Sequence, residues 1–228
     1  MINIKGKNAL ITGSSRGVGQ QIAIGLAQKG CNVIVHCRTK NGCARTIQML
    51  KKYSVSVYSV FGELSDEASV HEVIRQCNAL NVDIDILYNN AGMMVRYQND
   101  IWQHSWESWM TSMKTNVFSI YTLCAAFVPK MEERGFGRVV NLISGINKTP
   151  ELAPYGASKW AVLKLTEDLA FKYAGTNVKI NSLDPGWLRT DMGSQDAPDP
   201  VEATLPGALA PALLEEDGVS GEAFEALE

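Results

Sequence analysis

The chain has 228 residues, enough for one α/β domain whose core needs no disulfide or metal staple. Its 46% hydrophobic and 20% charged residues are those of an ordinary globular protein, and a formal net charge of −3 offers no basic field to nucleic acid or anionic lipid. Cys31, Cys37, Cys43, Cys77 and Cys124 form no C-x-x-C pair, and His36, His71 and His104 stand apart from one another, which speaks against a disulfide framework or a metal site and for a reducing compartment.

The first strand is predicted at 8–12 and runs into Thr12-Gly13-Ser14-Ser15-Arg16-Gly17-Val18-Gly19, which opens a helix over 17–29. Glycines let such a loop turn tightly and approach a pyrophosphate, and the helix start adds free amides and a positive dipole. The spacing is G-x-x-x-G-x-G, not the commoner G-x-G-x-x-G, and alone it reads equally as an ordinary glycine turn. Its place at the first strand–helix junction favours the dinucleotide. The second strand, 32–37, ends in Val35-His36-Cys37-Arg38-Thr39-Lys40, with no carboxylate for the ribose hydroxyls of NAD. Arg38, flanked by Arg16, would instead pair with a 2′-phosphate, so NADP(H) is preferred over NAD(H). Either arginine read alone is merely a solvated loop charge.

Helices over 40–52 and 65–79 separate strands at 55–61 and 84–88. Further strands are expected at 137–143 and 178–183, with helices over 105–133 and 155–174. Most of the strands are nearly continuous apolar runs, as strands covered on both faces are. The alternation predicts an α/β fold: one domain, a Rossmann-type doubly wound parallel sheet with helices on both faces. In the long helix Trp106, Met110, Met113, Val117, Ile120, Cys124, Phe127 and Met131 make one apolar stripe, which suits a core helix or one that also pairs with a second subunit. From Gly193 to Pro211 the composition turns to Pro, Ala, Asp and Gly, so 193–211 is expected to be a substrate loop or lid. A last strand at 222–227 is faintly marked. No apolar run reaches the ~20 residues of a membrane helix, and no long h-region follows Lys5 and Lys7. A cytoplasmic protein without membrane or nucleic-acid partners is expected.

Tyr155 and Lys159 lie four apart in Tyr155-Gly156-Ala157-Ser158-Lys159, hence on one helix face. An ammonium beside a phenol favours the phenolate and lowers a pKa that is ordinarily ~10, which suits proton exchange with an alcohol near neutral pH. The pair alone is close to coincidence. Its weight comes from order: the glycine loop, then Asn89-Asn90-Ala91-Gly92, then Ser144, then the pair.

With these residues in that order, the chain resembles the classical short-chain dehydrogenase/reductase (SDR) family, and its small carbonyl-reductase-like members in particular. Asn116 in the long helix and Pro185-Gly186-x-x-x-Thr190 extend the match over residues 7 to 192. The resemblance implies catalytic roles for Asn116, Ser144, Tyr155 and Lys159. Ser144 would polarise the carbonyl oxygen, and Tyr155 would give or take the proton. Lys159 would hold the nicotinamide ribose and support the phenolate, and Asn116 would hold a water linking Lys159 to solvent. The cofactor would lie along Gly13, Ser15, Arg16, Gly17, Val18 and Gly19, then Arg38, then Glu63 and Leu64 at the adenine. It would continue past Asn89, Ala91 and Gly92 to Tyr155, Lys159, Pro185, Gly186, Leu188 and Thr190. Asn89 would also stabilise the central strand. Each has a plainer reading: Ser144 a turn former, Asn116 a polar helix residue, Thr190 a helix cap.

Three departures stand out. Glu63 replaces the usual Asp, the interval from Ser144 to Tyr155 is about two residues short, and the usual helical lid beyond Thr190 is missing. Met93, Met94, Val95, the 145–152 loop, Trp187 and Leu188 would wall a mostly apolar pocket for a small carbonyl or alcohol. A homodimer or homotetramer through the 105–133 and 155–174 helices is expected. Two rivals are a dinucleotide-binding regulator with little catalysis and a sugar-nucleotide epimerase. The complete Ser144, Tyr155, Lys159, Asn116 set speaks against the first, and the glycine spacing and short tail against the second.

Overall fold

In the computed structural model, which describes residues 1–227, the chain runs β1 (Asn8–Ile11), α1 (Gly17–Gln28), β2 (Asn32–Cys37), α2 (Ala44–Leu50), β3 (Val57–Phe61), α3 (Glu67–Ala79) and β4 (Ile86–Asn89). It continues through α4 (Trp106–Met113), α5 (Ser119–Glu133), β5 (Gly137–Leu142), α6 (Ala153–Lys172), β6 (Val178–Asp184), β7 (Leu188–Arg189), β8 (Asp199–Pro200) and β9 (Ala223–Glu225). Seven strands form one sheet in the order β3-β2-β1-β4-β5-β6-β9, every neighbouring pair parallel. The expected doubly wound sheet is present. The faint last strand pairs with β6 as the three-residue β9.

Alternation along the strands assigns each apolar residue to a face. Ala9, Ile11, Val33, Val35, Ile86, Tyr88, Val140, Leu142 and Leu183 pack on one side with Ile22, Ala23 and Leu26 of α1. Their sequence neighbours Leu10, Ile34, Leu87, Val139 and Ile180 pack on the other with α3, α5 and α6, through Val73, Phe127, Met131 and Val162. Both faces are covered, so neither strand register nor strand polarity is free to slip. β1 is followed by strands laid outward on one side, and β4 starts the march on the other. The crevice beyond the carboxyl ends of β1 and β4 is therefore the switch point of the sheet, where ligands bind in such folds.

Two expectations change. The long helix exists, but a π turn over Lys114–Phe118 divides it. Of its stripe, Ile120, Cys124, Phe127 and Met131 are buried in the core while Trp106 is 81% exposed. Phe118 and Tyr121 are exposed in this region as well, with Trp160 and Phe171 on α6. The stretch 193–211 also divides. Its first part is a surface loop closed by pairing of β7 with β8. From Thr204 onward it turns inward: Ala208, Leu209, Ala212 and Leu213 are buried on the α1 side of the sheet, in 3₁₀ turns over Gly207–Leu213. The second half of this stretch is thus a core element, not a lid. Pro206 and Pro211 deny the segment an α-helical ladder, yet its alanines and leucines are apolar enough to fill the position a helix would take. Tyr88 Oη donates to the Ala208 carbonyl at 2.8 Å, and the buried Arg138 guanidinium donates to the Leu214 carbonyl at 2.7 Å and the Asn177 carbonyl at 2.8 Å.

Candidate active site

The glycine loop lies where β1 meets α1, at the switch point. Gly13 and Gly17 have φ of +64° and +62°, a region that L side chains rarely adopt. Gly19 is excluded from substitution by space: a Cβ there would stand 2.4 Å from Asn90 Nδ2 and 2.7 Å from the Gly13 carbonyl oxygen. The N-cap of α1 is Arg16, whose side chain makes no cap hydrogen bond, so the first-turn amides of Gly17, Val18 and Gly19 are left for an external anion. A Cβ at Gly17 would meet only the Thr190 methyl, at 3.8 Å. An uncapped helix start with no side chain over it fits a dinucleotide pyrophosphate.

Two residues outside the expected set hold this loop. Asn90 Nδ2 donates to the carbonyls of Thr12 and Gly13 at 2.8 and 3.1 Å, and Thr12 Oγ1 accepts from the amides of Asn90 and Ala91. His36 is buried, its Nδ1 accepting from Gly13 N–H at 3.1 Å and its Nε2 lying 3.1 Å from the Gly62 carbonyl. That carbonyl can only accept, so Nε2 carries the proton and the ring is neutral. Burial pushes the His36 pKa down to about 4. Asn90 was within reach of the sequence, since it stands inside the Asn-Asn-Ala-Gly run. Nothing in the sequence marked His36.

On the adenosine side, Arg38 is exposed beyond β2, while Arg16 is turned away onto Asp191 with Nε 2.8 Å from the carboxylate. Glu63 lies just beyond β3 and accepts from the Ser65 amide at 3.1 Å, with Leu64 buried beside it. Asn89 is a correction in part. Its side chain is buried, with Nδ2 donating to Asn141 Oδ1 at 2.8 Å across β4 and β5 and to Cys124 Sγ at 3.4 Å and Oδ1 without a partner, so it braces the central sheet from inside. Leu188 is likewise buried in β7, which leaves only its main chain to face a ligand. Ser15 gives its carbonyl to Gln20 Nε2. Thr190 Oγ1 accepts from Gly193 N–H at 3.0 Å, and Pro185-Gly186 makes the turn out of β6 with Gly186 at φ +79°.

The chemical end forms beyond β5. Tyr155 and Lys159 are buried on one face of α6, with Lys159 Nζ 5.8 Å from the centroid of the Tyr155 ring. Lys159 Nζ donates to the Leu142 carbonyl at 2.8 Å. Gly92 lies against both neighbours: a Cβ there would stand 3.4 Å from Lys159 Nζ and 3.5 Å from Asn116 Oδ1, at ordinary contact distance. Asn116, in the π turn, accepts from Met93 N–H at 2.8 Å and donates to the Met93 carbonyl and Ser158 Oγ at 2.9 and 2.8 Å. Desolvation pushes the Tyr155 pKa up, against a downward pull from the nearby Ser144 hydroxyl, and Asp184 pushes it up further. Lys159 is brought down to about 8 by burial, with Asp184 opposing. The expected lowering of the phenol by Lys159 is therefore not the balance in the free protein. Burial dominates, and Asp184 is a charge the sequence reading did not name. A depression of about 670 Å³ lies elsewhere, lined by Thr176, Lys179 and Glu215; chemistry, not concavity, marks the site.

Val95, Leu152 and Tyr155 form a small apolar cluster joined by Met93, Met94 and Ile146, which places part of the expected substrate wall against the phenol. All five cysteines are buried and free. Among the described residues no helix is long and apolar enough to cross a membrane.

Comparison with known proteins agrees with this geometry. A family profile described as short chain dehydrogenase matches residues 7–200. The chain is 33% identical over 191 residues to dehydrogenase/reductase SDR family member 4 of Sus scrofa, covering 83% of this chain and 68% of that one. It is 34% identical over 192 residues to 3-oxoacyl-(acyl-carrier-protein) reductase of Haemophilus influenzae, covering 83% and 77%. Among solved structures, the 3-oxoacyl-(acyl-carrier-protein) reductase of Agrobacterium tumefaciens C58 with NADP bound superposes with a TM-score of 0.89 at 27% identity, over 98% of this chain and 93% of that one. A gluconate 5-dehydrogenase of Burkholderia cenocepacia J2315 in complex with NADP and tartrate gives 0.86 at 26%, over 98% and 94%. With the sheet order, the glycine loop and the Ser144, Tyr155, Lys159 cluster in place, the chain is an oxidoreductase of the short-chain dehydrogenase/reductase family.

Proposed function

We propose that this protein reduces a small carbonyl compound, or oxidises the corresponding alcohol, with NADP(H), using Tyr155 as acid and base. The observation that carries this reading is the meeting of Tyr155, Ser144 and Lys159 beyond β5, with only β4 between β5 and the strand that leads into the uncapped helix start. When bound, the nicotinamide supplies or accepts the hydride. Tyr155, kept protonated by burial, gives its phenolic proton to the carbonyl oxygen in reduction, and takes it back in oxidation. The Ser144 hydroxyl donates to the same oxygen and stabilises the charge that grows there. Lys159 holds a positive charge beneath the phenol ring as that proton leaves. The side-chain amide of Asn116 is engaged with Met93 and Ser158, so a relay water toward Lys159 is assigned to the Asn116 main-chain carbonyl.

Arg38 supports the preference for NADP(H), since no acid ends β2 and its fork is free to take a 2′-phosphate. Arg16 would join it on release from Asp191. Exposed Phe118, Tyr121, Trp160 and Phe171 support a homodimer or homotetramer through α5 and α6 in a cytoplasmic protein; a sedimentation mass of one chain would refute that assembly. The test of the reaction is a panel of aldehydes, ketones and alcohols with NADPH, NADH and their oxidised forms. Tyr155→Phe is expected to lower turnover by ~10²–10⁴-fold with dinucleotide affinity nearly intact, and near-normal turnover would overturn the assignment.

A further inference from the structure

We infer that Asp184 is a specificity-determining residue, a carboxylate at the edge of the reaction cluster that disfavours carbonyl substrates bearing a nearby anionic group and favours neutral or ammonium-bearing ones. This rests on the hydride-transfer reading above.

Asp184 is the last residue of β6 and is held on two sides. Its Oδ1 accepts from Gly186 N–H at 2.9 Å. Its Oδ2 lies over Gly145, where an added Cβ would stand only 2.7 Å away. Gly145 directly follows Ser144, and Gly186 is the turn glycine on the cofactor side. The carboxylate therefore sits between the two segments that bracket the reacting carbon. Its charge reaches both Tyr155 and Lys159. It belongs to none of the ion pairs among the described residues, so no guanidinium or ammonium in contact cancels it.

The consequence follows from the charges present. Lys159 is the buried cation of the cluster, and alone it would draw anionic substrates toward the phenol. Asp184 offsets that field. The facing wall of Met93, Met94, Val95, Ile146 and Leu152 is apolar, so a substrate would lay an apolar body there and turn any polar group toward Asp184. A half-buried carboxylate with no cation in contact repels a second carboxylate beside it, by an amount that reaches tenfold in an equilibrium constant. The plainer account is that Asp184 only closes the turn onto Gly186 N–H. That account uses one oxygen, and an asparagine would serve it equally.

The isosteric change separates the two. The intact protein with NADPH is assayed on three acetophenones bearing methyl, carboxylate or aminomethyl at the meta position, as wild type, Asp184→Asn and Asp184→Glu. The wild type is expected to have a kcat/KM for the carboxylate about tenfold below that for the methyl compound, with the aminomethyl compound at or above the methyl one. Asp184→Asn is expected to remove most of that ratio, and Asp184→Glu to keep it. Turnover with an unchanged ratio in Asp184→Asn, or a wild type that prefers the carboxylate, would overturn the inference and leave the reaction standing. Failure to reduce any of the three, or any member of the aldehyde and ketone panel, with NADPH bound, would overturn both.

Discussion

Lowering the pH from 7.5 to 5 brings His36 into a range where the unfolded chain takes a proton and the folded protein resists it. In the fold its Nδ1 is an acceptor for Gly13 N–H and its Nε2 a donor to the Gly62 carbonyl, so a second proton has no acceptor to meet. A folded pKa of about 4 against an ordinary 6.5 means that the unfolded state binds more protons between those two values. Stability is full above pH 6.5, falls as the pH drops toward 4, and loses nothing further to this group below that. At 1.36 kcal/mol per pH unit the loss is about 2 kcal/mol at pH 5 and about 3 kcal/mol when complete. His36→Gln keeps an acceptor and a donor but no titration in this range. Urea unfolding of both proteins at pH 7.5 and pH 5 isolates the effect from that of the carboxylates. The wild type should lose about 2 kcal/mol more than the variant, or about 4–8 °C in Tm for a chain of this size. Equal losses in the two proteins would refute the reasoning.

Gly19→Ala would drive a Cβ into Asn90 and the Gly13 carbonyl; a cost of about 1–3 kcal/mol and weaker dinucleotide binding are expected by unfolding and fluorescence titration, and an unaltered protein would show that the loop has slack. Leu209→Ala, beneath α1, should cost about 2–5 kcal/mol in urea unfolding. A cost below about 1 kcal/mol would return the segment to the status of a surface loop. Arg38→Ala should weaken NADPH binding at least about tenfold while leaving NADH within about twofold; equal loss with both cofactors would remove Arg38 from the 2′-phosphate site.

Periodicity and punctuation make most of the sheet legible in the amino-acid sequence alone. Apolar runs such as Val33–Val35 within β2 have few other uses in a chain of this composition, and glycine and the chain's alternation set the parallel order of the strands. The strand ends shift by a residue or two, as they do wherever hydrogen bonds rather than side chains decide the boundary. Residues 204–213 misled because proline and glycine mark loops in most contexts, while the alternating face of the sheet that needed covering is visible only in three dimensions. The site divides the same way. Gly13, Gly17, Tyr155 and Lys159 stand at spacings that local geometry explains. His36 and Asp184 are single residues at strand ends, and their roles come from neighbours 23 and 39 positions away, a distance that no local pattern encodes. Asn89 and Asn90 show the limit most finely: adjacent letters of one motif point to opposite faces, one into the sheet and one onto the glycine loop.

The placement of Ala208, Leu209, Ala212 and Leu213 under α1 also bears on how the chain is made. Synthesis delivers the glycine loop, the Asn-Asn-Ala-Gly run and the tyrosine–lysine pair long before it delivers the residues that seal that side of the sheet. At ~5–20 residues per second, residues 201–213 take about 1–3 s to emerge. Through that interval a nascent protein that already holds the tyrosine–lysine pair presents Gly25, Ile22 and the strand face beside them uncovered by this segment. Such a chain is a target for chaperones and a nucleus for aggregation, and a stop codon near position 200 would leave it in that state for good.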